Sequence, residues 1–402
     1  MNAAQVLAHE KFAYAKVEPP CPAFGTCGGC SLQDLAYADQ LSLKRERLAR
    51  TLAALPGLPP MELVGLEEPW RYRNKAELTF GVWQGELALG YHAAGSFWKV
   101  VNLDDCLLLP EPAARLLQDV RALAAATGLP AYHPRTHQGF FRYWLVRSSR
   151  HTGRLLACLM TAPGPREPVD RMAAALVARH PALASLYWGV TGKLADVAVP
   201  EELTLLHGAP YLDDRIGPFA LQLHPLSFLQ PSTVQAERMY TLVCEHLSRI
   251  ADGVAWDLYC GVGLIGLYLS RHFRKVYGID IEPAHLALAA SNASLNGVSN
   301  LEFKPGAVET LLMDRRFWLQ EARPDVIVVD PPRPGLHPQA VSSLLAARPL
   351  AIAYLSCNAA SLVRDLTILT THYPKYRISA LRAFDMFPQT NHVETVAFLE
   401  RV

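Results

Sequence analysis

The sequence predicts an α/β protein over its C-terminal part, preceded by an α+β, mainly antiparallel region and a short N-terminal cysteine loop. Three observations carry this. From about residue 226, apolar strand-like runs alternate with amphipathic stretches, the texture of successive β-α units and so of a parallel doubly wound sheet. Between about 61 and 225 the runs alternate at period two and turn on glycine, as hairpins do. Ahead of both, Cys21, Cys27 and Cys30 crowd into ten residues. The expected division is therefore 1–60, 61–225 and 226–402.

Composition narrows the class. Half of the 402 residues are apolar, enough to bury more than one core. No run approaches the roughly 18 apolar residues of a membrane span. The opening "MNAAQVLAHEKFAYAKVEPP" has no apolar signal region, so a cytoplasmic location is expected, without a disulfide framework or a membrane partner. A net charge of +1 argues neither for nor against a polyanionic partner.

Taken in order, Leu35, Ala38, Leu41, Leu48 and Leu52 keep rough helical spacing until "PGLPP" stops them. "RYRNK" puts Arg71, Arg73 and Lys75 at alternate positions of an expected strand, a one-faced stripe suited to phosphate contacts. "KAELTFGVWQGELALGYHAA" alternates and turns at Gln84-Gly85, and "FRYWLVRSSRHTGRLLACLMTA" repeats this near Thr152-Gly153. "ASLYWGVTG", "VAVPEELTLLHG" and "FALQLHP" extend the region, with helices near 110–127 and 168–179. "STVQAERMYTLVCEHLSRI" then opens on N-cap residues and repeats Met239, Leu242, Val243, Leu247 and Ile250. Strands are expected at "VAWDLYC", "KVYGIDI", "LEFKPG", "DVIVVDPP", "AIAYLSC" and "VETVAFLERV". Cys158 and Cys244 fall inside apolar patterns and read as core.

The ends of these strands hold the chemistry. "DLYCGVGLIGLYL" closes a strand, turns on Gly261 and Gly263 and starts a helix, so backbone and free N–H groups can approach a ligand. The next strand ends in Asp280, a carboxylate able to take two ribose hydroxyls. This turn with its acid resembles the S-adenosylmethionine site of class I methyltransferases. "VIVVDPPRPGL" supports that, since such enzymes select their target at this position. Arg333 stands where amino-directed enzymes carry a stacking aromatic, which disfavours amino methylation.

Cys357, in "YLSCNAASLVRDL", ends a strand on the same sheet edge. A thiolate there suits covalent catalysis at a pyrimidine. C5 of uracil is a poor nucleophile until a thiolate adds to C6. It can then attack a sulfonium methyl group, and a base must remove the C5 proton. In "FDMFPQTNHVETVAF", Glu394 is the candidate base and His392 its competitor.

With these motifs in order and spacing, the chain resembles the RNA 5-methyluridine methyltransferases, S-adenosylmethionine-dependent enzymes that act on tRNA or large-subunit ribosomal RNA. "RYRNKAELTFG" and the early cysteines extend the resemblance over nearly the whole length. It implies Cys357 as nucleophile and Glu394 as proton acceptor, with Gln230, Tyr259, Gly261, Asp280 and Asp330 holding the cofactor. Cys260 belongs to the turn. Two positions depart from the family pattern: Ser232 stands for an expected asparagine, and Ala359 for a proline beside the nucleophile. Many relatives carry an N-terminal β-barrel before the cysteine loop, whereas here only twenty residues precede it. The shorter ribosomal branch lacks the barrel, which places 23S rRNA ahead of tRNA as partner. The family also implies a monomer. The target would be a loop uridine extruded into the site.

Cys21-x5-Cys27-x2-Cys30, with Gly25, Gly28 and Gly29 between, supplies three soft ligands on a pliable loop, and Cys106 offers a fourth. By residue type, zinc and an iron–sulfur cluster fit equally. The resemblance favours a [4Fe-4S] cluster on Cys21, Cys27, Cys30 and Cys106. Two other functions remain: 5-methylcytosine formation, which would want Pro-Cys where Pro331-Pro332 stands, and a non-catalytic iron–sulfur or RNA-binding protein, against which Cys357 and Glu394 argue.

Overall fold

The computed structural model describes residues 14–312 and 323–402. The first thirteen residues, read above as lacking a signal region, lie outside the described residues.

After the cysteine loop, α1 (Tyr37–Leu52) buries Leu43, Lys44, Leu48 and Leu52 and stops before the proline-rich turn. Then follow β1 (Met61–Val64), β2 (Lys75–Trp83), β3 (Glu86–Gly90) and α2 (Glu111–Ala126). β4 (Phe141–Ser148), β5 (Leu155–Thr161), α3 (Glu167–Arg179), β6 (Leu183–Val190) and β7 (Glu202–Gly208) complete a six-stranded sheet, ordered β3-β2-β4-β5-β6-β7. Its pairs are antiparallel except β5 with β6, which α3 joins as a crossover. β4 and β5 are buried at every position because both faces are covered. Trp144, Val146, Ala157 and Leu159 pack in the core with Leu116 and Leu117 of α2 and Val169 and Met172 of α3. Tyr143, Leu145, Leu156 and Cys158 turn the other way.

That second face is shared. It packs with the hairpin of β8 (Leu212–Ile216) and β9 (Phe219–Leu223) and with Met239 and Val243 of α4 (Thr233–Ser248). Beyond α4 come β10 (Val254–Leu258), α5 (Leu264–Ser270), β11 (Lys275–Asp280), α6 (Pro283–Leu295), β12 (Leu301–Pro305) and α7 (Val308–Leu311). β13 (Val326–Val329), α8 (Pro338–Ala347), β14 (Ala351–Ser356), α9 (Ala359–Thr371), β15 (Tyr376–Phe384) and β16 (Glu394–Arg401) follow. Eight described strands form one sheet, ordered β1-β15-β16-β14-β13-β10-β11-β12. The whole is an α/β fold with a Rossmann-like methyltransferase sheet, as expected. No described helix is long and apolar enough to cross a membrane.

Three details differ from the sequence reading. β16 runs antiparallel to both β14 and β15, so the sheet is not parallel throughout. β1, from the segment assigned to the central region, pairs with β15 in the large sheet. The basic stripe does not form, because β2 begins only at Lys75. Arg71 sits at φ 53° and forks onto Asp105 at 2.9 and 2.8 Å. Arg73 is half-buried with its guanidinium 5.9 Å from the Tyr91 ring centre, and Lys75 pairs with Glu77. Local ion pairs and burial take the charges that alternation alone would have placed on one face.

Candidate active site

The turn after β10 reaches left-handed backbone at Tyr259 (φ 62°), Gly261 (φ 52°) and Gly263 (φ 79°). The two glycines serve different ends. A Cβ on Gly263 would come within 2.9 Å of Ala289 and Phe303, so this glycine lets α5 close onto α6 and β12. A Cβ on Gly261 would meet nothing within 4 Å, so this glycine faces open space at the strand ends. Beneath the turn Asp257, fully buried, accepts the Gly266 N–H at 2.8 Å and pins the start of α5. Its second oxygen has no partner, and burial pushes its carboxyl well above the usual range.

Asp280, at the end of β11, accepts N–H groups from Gly261 and Glu282, both at 2.9 Å. Burial works against its ionisation. Bonds from His285 and these two amides outweigh it and hold the carboxyl below its ordinary value. Ile281, directly after it, is 66% exposed, an apolar surface beside an anionic group. Across the edge Asp330 follows β13, its N–H donating to Leu258 O at 3.3 Å. The Gln230 side chain bonds its carboxyl, which burial nevertheless pushes up to about 6. Gln230 is held in turn by Asn74, whose amide donates to its carbonyl at 2.8 Å.

The register sets the Cys357 thiol opposite the Glu394 carboxyl. Ser356, the last residue of β14, pairs with Thr395 of β16. Because β16 runs the other way, Cys357 and Glu394 emerge at one edge. Glu394 is 2% exposed and its Oε1 has no partner. Burial, then the neighbouring Asp330 charge, pushes its carboxyl well above 4.5. Burial likewise raises the half-buried Cys357 thiol, Glu394 adds to this, and Arg333 opposes it. His392 packs edge-on against Phe387, and burial lowers its pKa.

The two departures find local answers. Ser232 caps α4, its Oγ accepting from Gln235 N at 3.4 Å, a role asparagine would also fill. Beside Ala359, Asn358 caps α9 and also donates to Arg333 O at 3.1 Å, as Ser361 Oγ does at 3.2 Å. The loop after β13 is thereby tied to the segment after the thiol without a proline.

Cys21, Cys27, Cys30 and Cys106 line one small cavity with Tyr91, Leu103 and Leu108. All four thiols are free. Gly29 N–H points at Cys27 Sγ at 3.4 Å, and burial pushes the Cys30 thiol up to about 12. Among the described residues, no group of three or more His, Cys, Asp or Glu is arranged to hold a metal ion. The loop is anchored to the segment before β16, since Ser31 and Leu32 both donate to Gln389 O at 2.9 and 3.1 Å.

Sequence reasoning assigned nothing to Asp257, Asn74 or the charge of Arg333. Asp257 opens the quoted "DLYCGVGLIGLYL", and its place four residues before Gly261 is its signal. Asn74 lay inside "RYRNK", hidden between the cations.

Residues 218–402 match the family model described as tRNA (uracil-5-)-methyltransferase. An uncharacterized RNA methyltransferase of Caldanaerobacter subterraneus subsp. tengcongensis is 35% identical over 394 residues, 96% of this chain and 85% of its own. Another, of Clostridium acetobutylicum, is 34% identical over 390 residues, 96% and 84% of the two chains. Among solved structures, the Pyrococcus abyssi tRNA (uracil-54, C5)-methyltransferase in complex with S-adenosyl-L-homocysteine superposes with a TM-score of 0.73 at 27% identity, covering 93% of this chain and 86% of that one.

Proposed function

The chain belongs to the S-adenosylmethionine-dependent RNA uracil-5 methyltransferases, and from this we propose that it methylates C5 of a loop uridine through a covalent adduct on Cys357. The observation that carries the reading is the β14–β16 register, which sets a thiol beside a buried, half-unpartnered carboxylate at the ligand edge of the sheet. The residues fit the cofactor: open space before Gly261, an ionised Asp280 and exposed apolar Ile281 lie together. Gln230, Tyr259, Gly261, Asp280 and Asp330 would hold S-adenosylmethionine, which supplies an electrophilic methyl group when bound.

The protein's own steps run as follows. Cys357, its proton already released to solvent, bonds to C6 as the thiolate, and the C5–C6 π pair becomes available at C5. C5 takes the methyl group, and the electron pair of the broken methyl–sulfur bond stays on the donor sulfur. Glu394 removes the C5 proton, the C–H electrons re-form the double bond, and the sulfur leaves C6. A carboxyl raised by burial is a stronger base once ionised, which suits this abstraction. Arg333 favours the thiolate.

The substrate set out from the family resemblance is 23S rRNA. The archaeal neighbour, a tRNA uracil-54 enzyme by its description, supports tRNA as the second reading. Deleting the gene and measuring 5-methyluridine by mass spectrometry, separately in 23S rRNA and tRNA, tests both. Loss from one pool names the substrate. Loss from neither, with no transfer by the purified protein to either RNA, overturns the enzyme reading.

The same reading keeps a central region and a C-terminal methyltransferase region, with β1 counted in the latter's sheet, a monomer, and a [4Fe-4S] cluster on Cys21, Cys27, Cys30 and Cys106. Four free thiols around one cavity, an N–H aimed at sulfur and the half-buried Arg73 cation nearby fit an anionic thiolate-held group. Iron and sulfide analysis of anaerobically purified protein separates the cluster from zinc.

A further inference from the structure

A cavity of about 270 Å³ opens on the central sheet, outside the residues assigned to catalysis. Its walls come from β2, β4 and the loops that carry Trp98 and Tyr132. Two kinds of surface meet in it. One is aromatic and cationic. Arg142, 2% exposed, lies with its guanidinium 4.1 Å from the Tyr132 ring centre, and Trp98 is 42% exposed at the rim. The other is polar and unspent. Arg142 gives its terminal nitrogens to the carbonyls of Thr191, Lys193 and Ala195, but its Nε has no partner. The buried Nδ1 of His92 has none either. Tyr143 hydroxyl donates to the carboxylate of Asp196, which also lines the cavity.

Outside the mouth, Arg135 lies 5.5 and 5.4 Å from the rings of Phe97 and Trp98, and Lys99 lies 5.2 Å from Trp98. Both cations are exposed, and Phe97 is 67% exposed. An exposed aromatic pair interleaved with cations is costly to leave bare and suits a ligand with a flat π face and an attached anion. A purely apolar ligand would leave the exposed Arg135 and Lys99 charges at the mouth unused. A planar ring carrying a phosphate meets the aromatic faces and these cations together.

We propose that this cavity binds a second, unmethylated base of the RNA substrate, stacked on Trp98 and Tyr132 with its phosphate against Lys99 and Arg135. The inference rests on the RNA-substrate reading above and adds a site that holds the strand at a point away from Cys357. Single-stranded bases are commonly gripped by such stacking.

Trp98→Ala and Trp98→Phe test it in the full-length protein, since Trp98 is exposed and its loss removes no core contact. Binding is measured with a 23S rRNA transcript and with total tRNA, across a range of salt. Trp98→Ala is expected to weaken binding of the substrate RNA about tenfold and raise its KM alike, with kcat and S-adenosylhomocysteine affinity unchanged. The slope of affinity against salt stays the same, because no phosphate contact is lost. Trp98→Phe recovers most of the affinity. Unchanged binding and KM in Trp98→Ala overturns the proposal, as does a loss that phenylalanine does not restore. If the unaltered protein transfers no methyl group, the enzyme reading fails while the binding comparison still decides the pocket. Absence of RNA binding by the unaltered protein overturns both.

Discussion

Glu394 is buried and Asp330 half-buried at strand ends on either side of β14, and desolvation pushes both carboxyls up, Asp330 to about 6. An acid raised in the folded state binds more protons there than when unfolded. Stability should therefore fall as pH rises from the ordinary aspartate value of 3.8 through about 6, and over the higher range set by Glu394. Activity runs the opposite way. In the proposed mechanism both the Cys357 thiol and the Glu394 carboxyl must lose protons, so kcat/KM should climb with pH above the ordinary carboxylate range. A rate profile that does not rise with pH above the ordinary carboxylate range contradicts this. Glu394→Gln separates the two effects. It should raise the urea midpoint at neutral pH, slow turnover by about 10²–10⁴-fold and accumulate a denaturant-resistant protein–RNA adduct. Cys357→Ala should form no adduct and give no turnover. These residues were legible because their motif neighbours were. Their pKa directions were not, since burial is a property of the assembled sheet.

At the scale of elements, the direction of one strand makes the site. Were β16 parallel to β14, Glu394 would open at the opposite edge from Cys357. Apolar runs in the sequence show that strands exist but not which way they run, so the antiparallel partner went unread. The glycine turn was legible as a turn, yet the separate roles of Gly261 and Gly263 needed α6 and β12 in place. Gly263→Ala combines a left-handed φ with contacts at 2.9 Å, and should cost at least about 1–3 kcal/mol in denaturant unfolding. Helix α1 is locked to the catalytic sheet by a buried pair, Lys44 Nζ to Asp385 Oδ1 at 2.6 Å, with side chains 1% and 0% exposed. Burial lowers the Lys44 pKa and raises that of Asp385, the partner's charge only partly offsetting it. Asp385→Ala, which strands the ammonium, should cost about 3–5 kcal/mol. The double change Lys44→Met, Asp385→Leu should recover most of it, as urea titration of both would show.

Over the whole molecule, the cysteine loop and the proposed base share one piece of backbone. Ser31 and Leu32 donate to Gln389 O, Gln389 N donates to Gln40 Oε1 at 3.1 Å, and Tyr72 hydroxyl donates to Pro388 O at 3.2 Å. Gln389 itself sits at φ 70°, a backbone state that a glutamine adopts only where its surroundings impose it. Five residues later stands Glu394. Whatever group the four thiols hold should therefore order the stretch from Asp385 to Glu394 as well as the loop. Removing that group by Cys30→Ser, or by chelation, should raise amide hydrogen exchange at 385–393 while β10, β11 and β12 keep their protection. S-adenosylhomocysteine affinity, which depends on the far strands, should change little, and kcat should fall because the base loses its fixed position. Equal loss of protection in both regions would mean that the loop supports the fold as a whole rather than the base in particular. Unchanged exchange at 385–393 would mean that the backbone bonds to Gln389 hold without any bound group.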